Sequence, residues 1–162
     1  MGLFTKKLLE QIEDLKLLLL EETFKSVTYE LRFFKETVVD HAINSLRKLY
    51  AGNNSDSYAV ELGINERYWI KRFEDCISKP LEIAANKVKG EERSKIKAVI
   101  NHIGQIRSLL SYAAYLSTDN YWPGISHAGG HYNIASVDLK NETTRHTIKR
   151  MMQAFLKIKY AI

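Results

Sequence analysis

The sequence predicts an all-α protein, a helical bundle of about four to six helices with one long loop before the C-terminal helix. Three observations predict it. Apolar residues recur at helical spacing over long stretches, no segment sustains the alternation of a strand, and 162 residues contain only 2 Pro and 8 Gly. At 45% hydrophobic and 27% charged, the chain can fill one sizeable core and differs from collagen-like, Pro-rich and disordered sequences. No repeat or Gly/Ser linker divides it, so residues 1–162 read as a single domain.

The first helix is expected to start at Thr5 as N-cap, with Leu8, Ile12, Leu15 and Leu19 on one face. Leu17-Leu18-Leu19-Leu20 is closely bounded by Lys16, Glu21 and Glu22, far short of the roughly 20 apolar residues a membrane span needs. After an irregularity near Glu22-Thr23, Val27, Leu31, Phe34, Val38, Ala42 and Leu49 continue one apolar stripe to about Tyr50, where Gly52-Asn53-Asn54-Ser55 stops it. A second region opens at Asp56 as a candidate cap and is helical from Glu66 to Ile77. Pro80 should break it, with Ser78 capping a new short helix toward Val88.

Gly90 marks the next boundary, and Ile96, Val99, Ile103, Ile106, Leu110 and Ala113 define a long amphipathic helix from Glu91. Gly104 lies inside it and implies close approach of a neighbouring helix. From Ser117 to Asn141 the helical period disappears and a long loop is expected, with Ile134–Leu139 as a short extended piece. Thr143 or Thr144 should cap the last helix, whose buried face is Ile148, Met151, Met152, Phe155 and Ile158.

The net charge of +5 is unevenly distributed. Residues 1–81 carry 12 basic and 13 acidic side chains, residues 82–162 carry 12 and 6, and the excess therefore belongs to the second half. On the last helix His146, Lys149, Arg150, Gln153 and Lys157 form a polar, cationic stripe opposite the apolar face, with Arg145 beside it. Lys89, Arg93, Lys97 and Arg107, on or just before the preceding long helix, form a second set expected to extend the track. Rows of Lys and Arg can follow a phosphate backbone, because the attraction is long-ranged and geometrically undemanding. Tyr121, Trp122 and Tyr132 in the intervening loop suit base stacking, or equally closure of one end of the core.

Catalytic constellations are not evident. His127-Ala-Gly-Gly-His131 has a His-x3-His spacing, and Asp119, Asp138 or His146 could complete a ligand set. A loop does not hold both imidazoles in place as a helix would, and neither Cys nor a metalloprotease Glu accompanies them, so no metal is expected. There is no Gly-x-Ser-x-Gly elbow or phosphate loop, and Cys76 reads as a small core residue. No cofactor and no enzymatic activity are expected. One Cys and no leader pattern suit a reducing, cytoplasmic compartment.

In size, helical content, basic second half and lack of a catalytic motif, the whole chain resembles the small subunits of CRISPR effector complexes. Its segment Thr144-Arg145-His146-Thr147-Ile148-Lys149-Arg150-Met151-Met152-Gln153-Ala154-Phe155 is similar in texture to a basic helix of those subunits. The resemblance implies a non-catalytic nucleic-acid-binding role, stabilising a guide–target duplex or displaced strand by sequence-independent backbone contacts. It also implies partner subunits and further copies of the chain. The alternatives are a helical coat or interaction protein that wraps DNA, and a small helical enzyme using the His-rich loop.

Overall fold

The computed structural model describes residues 6–51, 60–118, 125–126, 131–134 and 142–162, with backbone course alone for 60–66, 117–118, 125–126, 131–134 and 144. Seven α-helical segments follow in order: α1 (Leu8–Asp14), α2 (Glu21–Phe33), α3 (Asp40–Tyr50), α4 (Glu66–Phe73), α5 (Lys79–Asn86), α6 (Glu91–Thr118) and α7 (Glu142–Ala161). The fold is an all-α helical bundle, as the periodicity predicts. No helix among the described residues is long and apolar enough to cross a membrane.

Predicted stripes become the core. Leu8, Ile12 and Leu15 of the first stripe, Ile96 to Ala113 of the long helix, and Ile148, Met151, Phe155 and Ile158 of the last are all buried, and Met152 packs against them half-buried. Helix α6 runs through the middle of the bundle, touching α1, α4, α5 and α7, while α7 also packs on α3. An ion pair at 2.9 Å joins Asp40, first residue of α3, to Lys159 near the end of α7. The backbone N–H of Leu9 donates to the carbonyl of Ile162 at 3.1 Å, tying the last residue back to α1.

Several boundaries differ from expectation. Thr5 and Asp56 lie outside the described residues. The irregularity expected near Glu22-Thr23 falls earlier, where a 3-10 turn (Lys16–Leu18) leads into extended Leu19 (φ −114°, ψ 149°) and α2 starts at Glu21. From there the chain stays helical to Tyr50, crossing a π turn at Phe34–Val39 that leaves Val38 and Val39 both buried.

Pro80 does not break its helix. Ser78 and Lys79 are helical (φ −64°, ψ −49° and φ −61°, ψ −47°), and Ser78 makes no capping bond. Proline lacks the N–H that would bond four residues back, and its ring would crowd that carbonyl. A π turn at Glu74–Ser78 widens the helix immediately before it and accommodates both defects. The last helix begins at Glu142, so Thr143 and Thr144 belong to its first turn, where Thr147 Oγ1 donates to the Thr143 carbonyl at 3.0 Å.

The two glycines of the α5–α6 region have different roles. Gly90 has φ +62°, a conformation L side chains resist, and its carbonyl accepts the N–H of Ser94 at 3.1 Å to begin α6. Gly104 has no helix pressed against it, because a Cβ built there meets only the Arg107 guanidinium at 3.9 Å. The close approach inferred from sequence is therefore absent. Gly104→Ala should raise stability by about 1 kcal/mol through helix propensity and a less flexible unfolded chain, measurable as a higher urea midpoint.

A small antiparallel sheet was not anticipated. Its order is β1 (Val60–Asn65), β3 (His131–Ile134), β2 (Ile125–Ser126), with Val60 opposite Ile134, Ile125 also opposite Ile134, and a register irregularity between Glu61 and Asn65. β1 lies against α3 and the Phe34–Val39 turn. The stretch expected as a plain loop thus contributes two short strands, and of the extended piece expected at Ile134–Leu139 only Ile134 lies among the described residues.

Candidate nucleic-acid interface

Helix α7 sorts its residues by angle around its axis. Thr147, Ile148, Met151, Ala154, Phe155, Ile158 and the following Ile162 face the core. His146, Lys149, Arg150, Gln153, Lys157 and Tyr160 occupy the opposite arc and are exposed. Lys149, Arg150 and Lys157 make no ion pair among the described residues, whereas His146 stands 3.7 Å from the Glu142 carboxylate one turn back. Lys149 and Lys157 are two turns apart, about 12 Å along the axis at 1.5 Å per residue. Arg145 is half-buried and engaged with the protein, on the flank of α7 nearest α3, so it belongs to the edge of the stripe.

The second set expected from sequence is arranged differently. Lys97 Nζ lies 2.7 Å from Glu82 of α5, and Arg107 Nη1 lies 2.9 Å from Glu74 in the π turn before it. Both sites are locally neutral and tie α6 to its neighbours. Arg93 Nε donates to the carbonyls of Ala85 and Val88, 3.0 Å each, and so closes the C-terminal end of α5, where a cation also opposes the helix dipole. Lys89 is exposed in the α5–α6 turn. Beyond Arg107 the exposed face of α6 carries Ser108, Tyr112 and Tyr115 and no charge. Helix α6 therefore does not extend the track.

Helix α3 carries two further exposed cations. Arg47 falls two turns after Asp40, on the side of α3 that adjoins α7, and Lys48 is exposed next to it; neither makes an ion pair among the described residues. They escape a sequence reading based on charge balance, since the first half of the chain is slightly acidic. Tyr121 and Trp122 lie outside the described residues, and Tyr132 is known only as part of β3. Tyr160 is an exposed aromatic on the same arc of α7 as Lys149, Gln153 and Lys157.

His127 lies outside the described residues, and His131 pairs through the β3 backbone with Asn65. Among the described residues no group of three His, Cys, Asp or Glu side chains could hold a metal ion. A cleft of about 600 Å³ between α1 and α6 is lined by Lys6, Asp14 and Lys95 over Leu15 and Val99, with Lys6 and Asp14 paired at 2.8 Å. Gln11, also on its wall, accepts from Nδ1 of buried His102 at 2.5 Å.

Burial holds the His102 pKa below its ordinary value. The folded state thus disfavours the imidazolium that the unfolded chain forms freely, so the contribution is fully present above the unfolded pKa, about 6.5, and declines as pH falls through the lowered folded value. Urea midpoints between pH 7.5 and 5 should fall, and His102→Asn should flatten that fall; an unchanged slope would assign the acid sensitivity elsewhere.

No protein-family model matches the chain, and no curated protein or solved structure matches it.

Proposed function

We propose that this chain is a non-catalytic, sequence-independent nucleic-acid-binding protein that works as a subunit of a larger ribonucleoprotein assembly, as the resemblance to CRISPR effector small subunits implies. The observation that carries the reading is the set of exposed cations without ion pairs among the described residues: Lys149, Arg150 and Lys157 on the exposed arc of α7, and Arg47 and Lys48 on α3, the helix packed on α7. Exposed cations neutralised by neighbouring carboxylates hold a polyanion poorly. These five keep their charge for an external partner, and phosphate is the partner whose recognition demands least geometric precision. Nothing in this surface is shaped to read base edges, so affinity should be uniform across sequences.

Fluorescence anisotropy with labelled oligonucleotides of several unrelated sequences tests this. Comparable affinities that weaken with added salt are expected. Absence of binding at low salt, or strong preference for one sequence, would contradict the proposal. Recovery of the tagged chain from its native cells with heterogeneous bound nucleic acid tests the assembly role.

A further inference from the structure

The Lys16–Leu20 link between α1 and α2 places large aliphatic side chains in water. Leu17 is 97% exposed and Leu20 68%, and across from them on α5 Ile83 is 57% exposed. Four consecutive leucines cannot all face one core, and the chain buries Leu19, half-buries Leu18 and leaves Leu17 and Leu20 out. At 97% exposure, Leu17 contributes nothing to the core. The three side chains are contiguous, surrounding one groove of about 250 Å³ whose walls include Leu18, Pro80 and Ala84.

We propose that this groove is the centre of a two-fold symmetric contact between two copies of the chain. Its volume lies below the range of small-molecule pockets and suits an aliphatic side chain. Leu17 stands on its rim as a knob beside a hole, which is the self-complementarity an isologous contact requires: each copy offers the knob its partner's hole accepts. The charges agree with this. Lys87 lines the groove just past the C-terminal end of α5, and Glu22 lies beside Thr23 and Pro80, near the start of α5 about two turns away. Both are exposed, and neither makes an ion pair among the described residues. A two-fold axis through the groove sets Lys87 of each copy opposite Glu22 of the other. An anionic membrane or nucleic acid would meet Glu22 unfavourably. The apolar area is small, so the dimer is weak, in the micromolar range or above. The contact uses none of the α7 cations and stands whether or not nucleic acid binds there.

Sedimentation velocity from low micromolar to several hundred micromolar tests it. Wild-type protein should pass from monomer to dimer. Leu17→Asp should remain monomeric with an unchanged melting temperature, because this side chain contributes nothing to the core. Lys87→Glu and Glu22→Lys should each weaken the dimer about tenfold or more, and combining them in one chain should restore it. A wild-type chain that stays monomeric, including one that instead binds a different protein through Leu17, overturns the proposal. So does a dimer indifferent to Leu17→Asp, or a double charge swap without recovery.

Discussion

Replacing Glu30 by Ala should destabilise the protein by about 3 kcal/mol, the lower end of what one-sided loss of a buried ion pair costs, and lower its melting temperature by roughly 6–12 °C. Glu30 of α2 accepts two bonds from Arg72 of α4, from Nε at 2.5 Å and Nη2 at 2.8 Å. The carboxylate side chain is 11% exposed and the guanidinium side chain 26%. Tyr68 also accepts from Arg72, and the guanidinium carbon lies 5.2 Å from the Trp69 ring centroid and 5.5 Å from that of Phe33. Behind them Phe34 and Phe73 pack edge to face at 4.8 Å. Removing Glu30 leaves a cation held among aromatic rings with no counter-charge, and the hydrogen bond to Glu30 is the main cause that raises the Arg72 pKa. The lower figure applies because Arg72 keeps some contact with water. Glu30→Leu/Arg72→Met should lose less than Glu30→Ala alone, since it removes both charges and keeps apolar volume. Thermal melts of the three proteins decide: a double variant worse than the single would assign the stability to packing around the Arg72 stem.

Periodicity made most of the bundle legible, because a helix that buries one face repeats its apolar residues every three or four positions whatever its neighbours are. Turn chemistry was less legible. Pro80 reads as a break, and only the three-dimensional course shows the chain absorbing it with a π turn just before it. Strands of two and four residues, Ile125–Ser126 and His131–Ile134, are too short to display alternation.

Pairing was invisible for a different reason. Glu74 and Arg107 are 33 residues apart and Glu82 and Lys97 are 15 apart, so Arg107 and Lys97 read as available cations although each already pairs with a carboxylate outside α6. Lys149, Arg150 and Lys157 stay without ion pairs among the described residues, and no acidic residue lies among Lys149, Arg150, Gln153 and Lys157. Arg47 and Lys48 were hidden because residues 1–81 carry a slight acidic excess as a whole.

Those differences sharpen the expected effect on binding. Lys149→Ala/Arg150→Ala/Lys157→Ala should cost most of the affinity for nucleic acid, and equally so for unrelated sequences. Lys97→Ala, which removes a cation already beside Glu82, should cost little. Five contacts to a single strand give a log–log salt slope of about −3.5, and the two that remain in the triple variant about −1.4. The deciding measurement is a salt titration of single-strand binding for the wild type, the triple variant and Lys97→Ala. A slope that becomes shallower by about two in the triple variant and stays unchanged in Lys97→Ala is the result predicted. The same slope in all three proteins would contradict it and place the phosphate contacts on another surface.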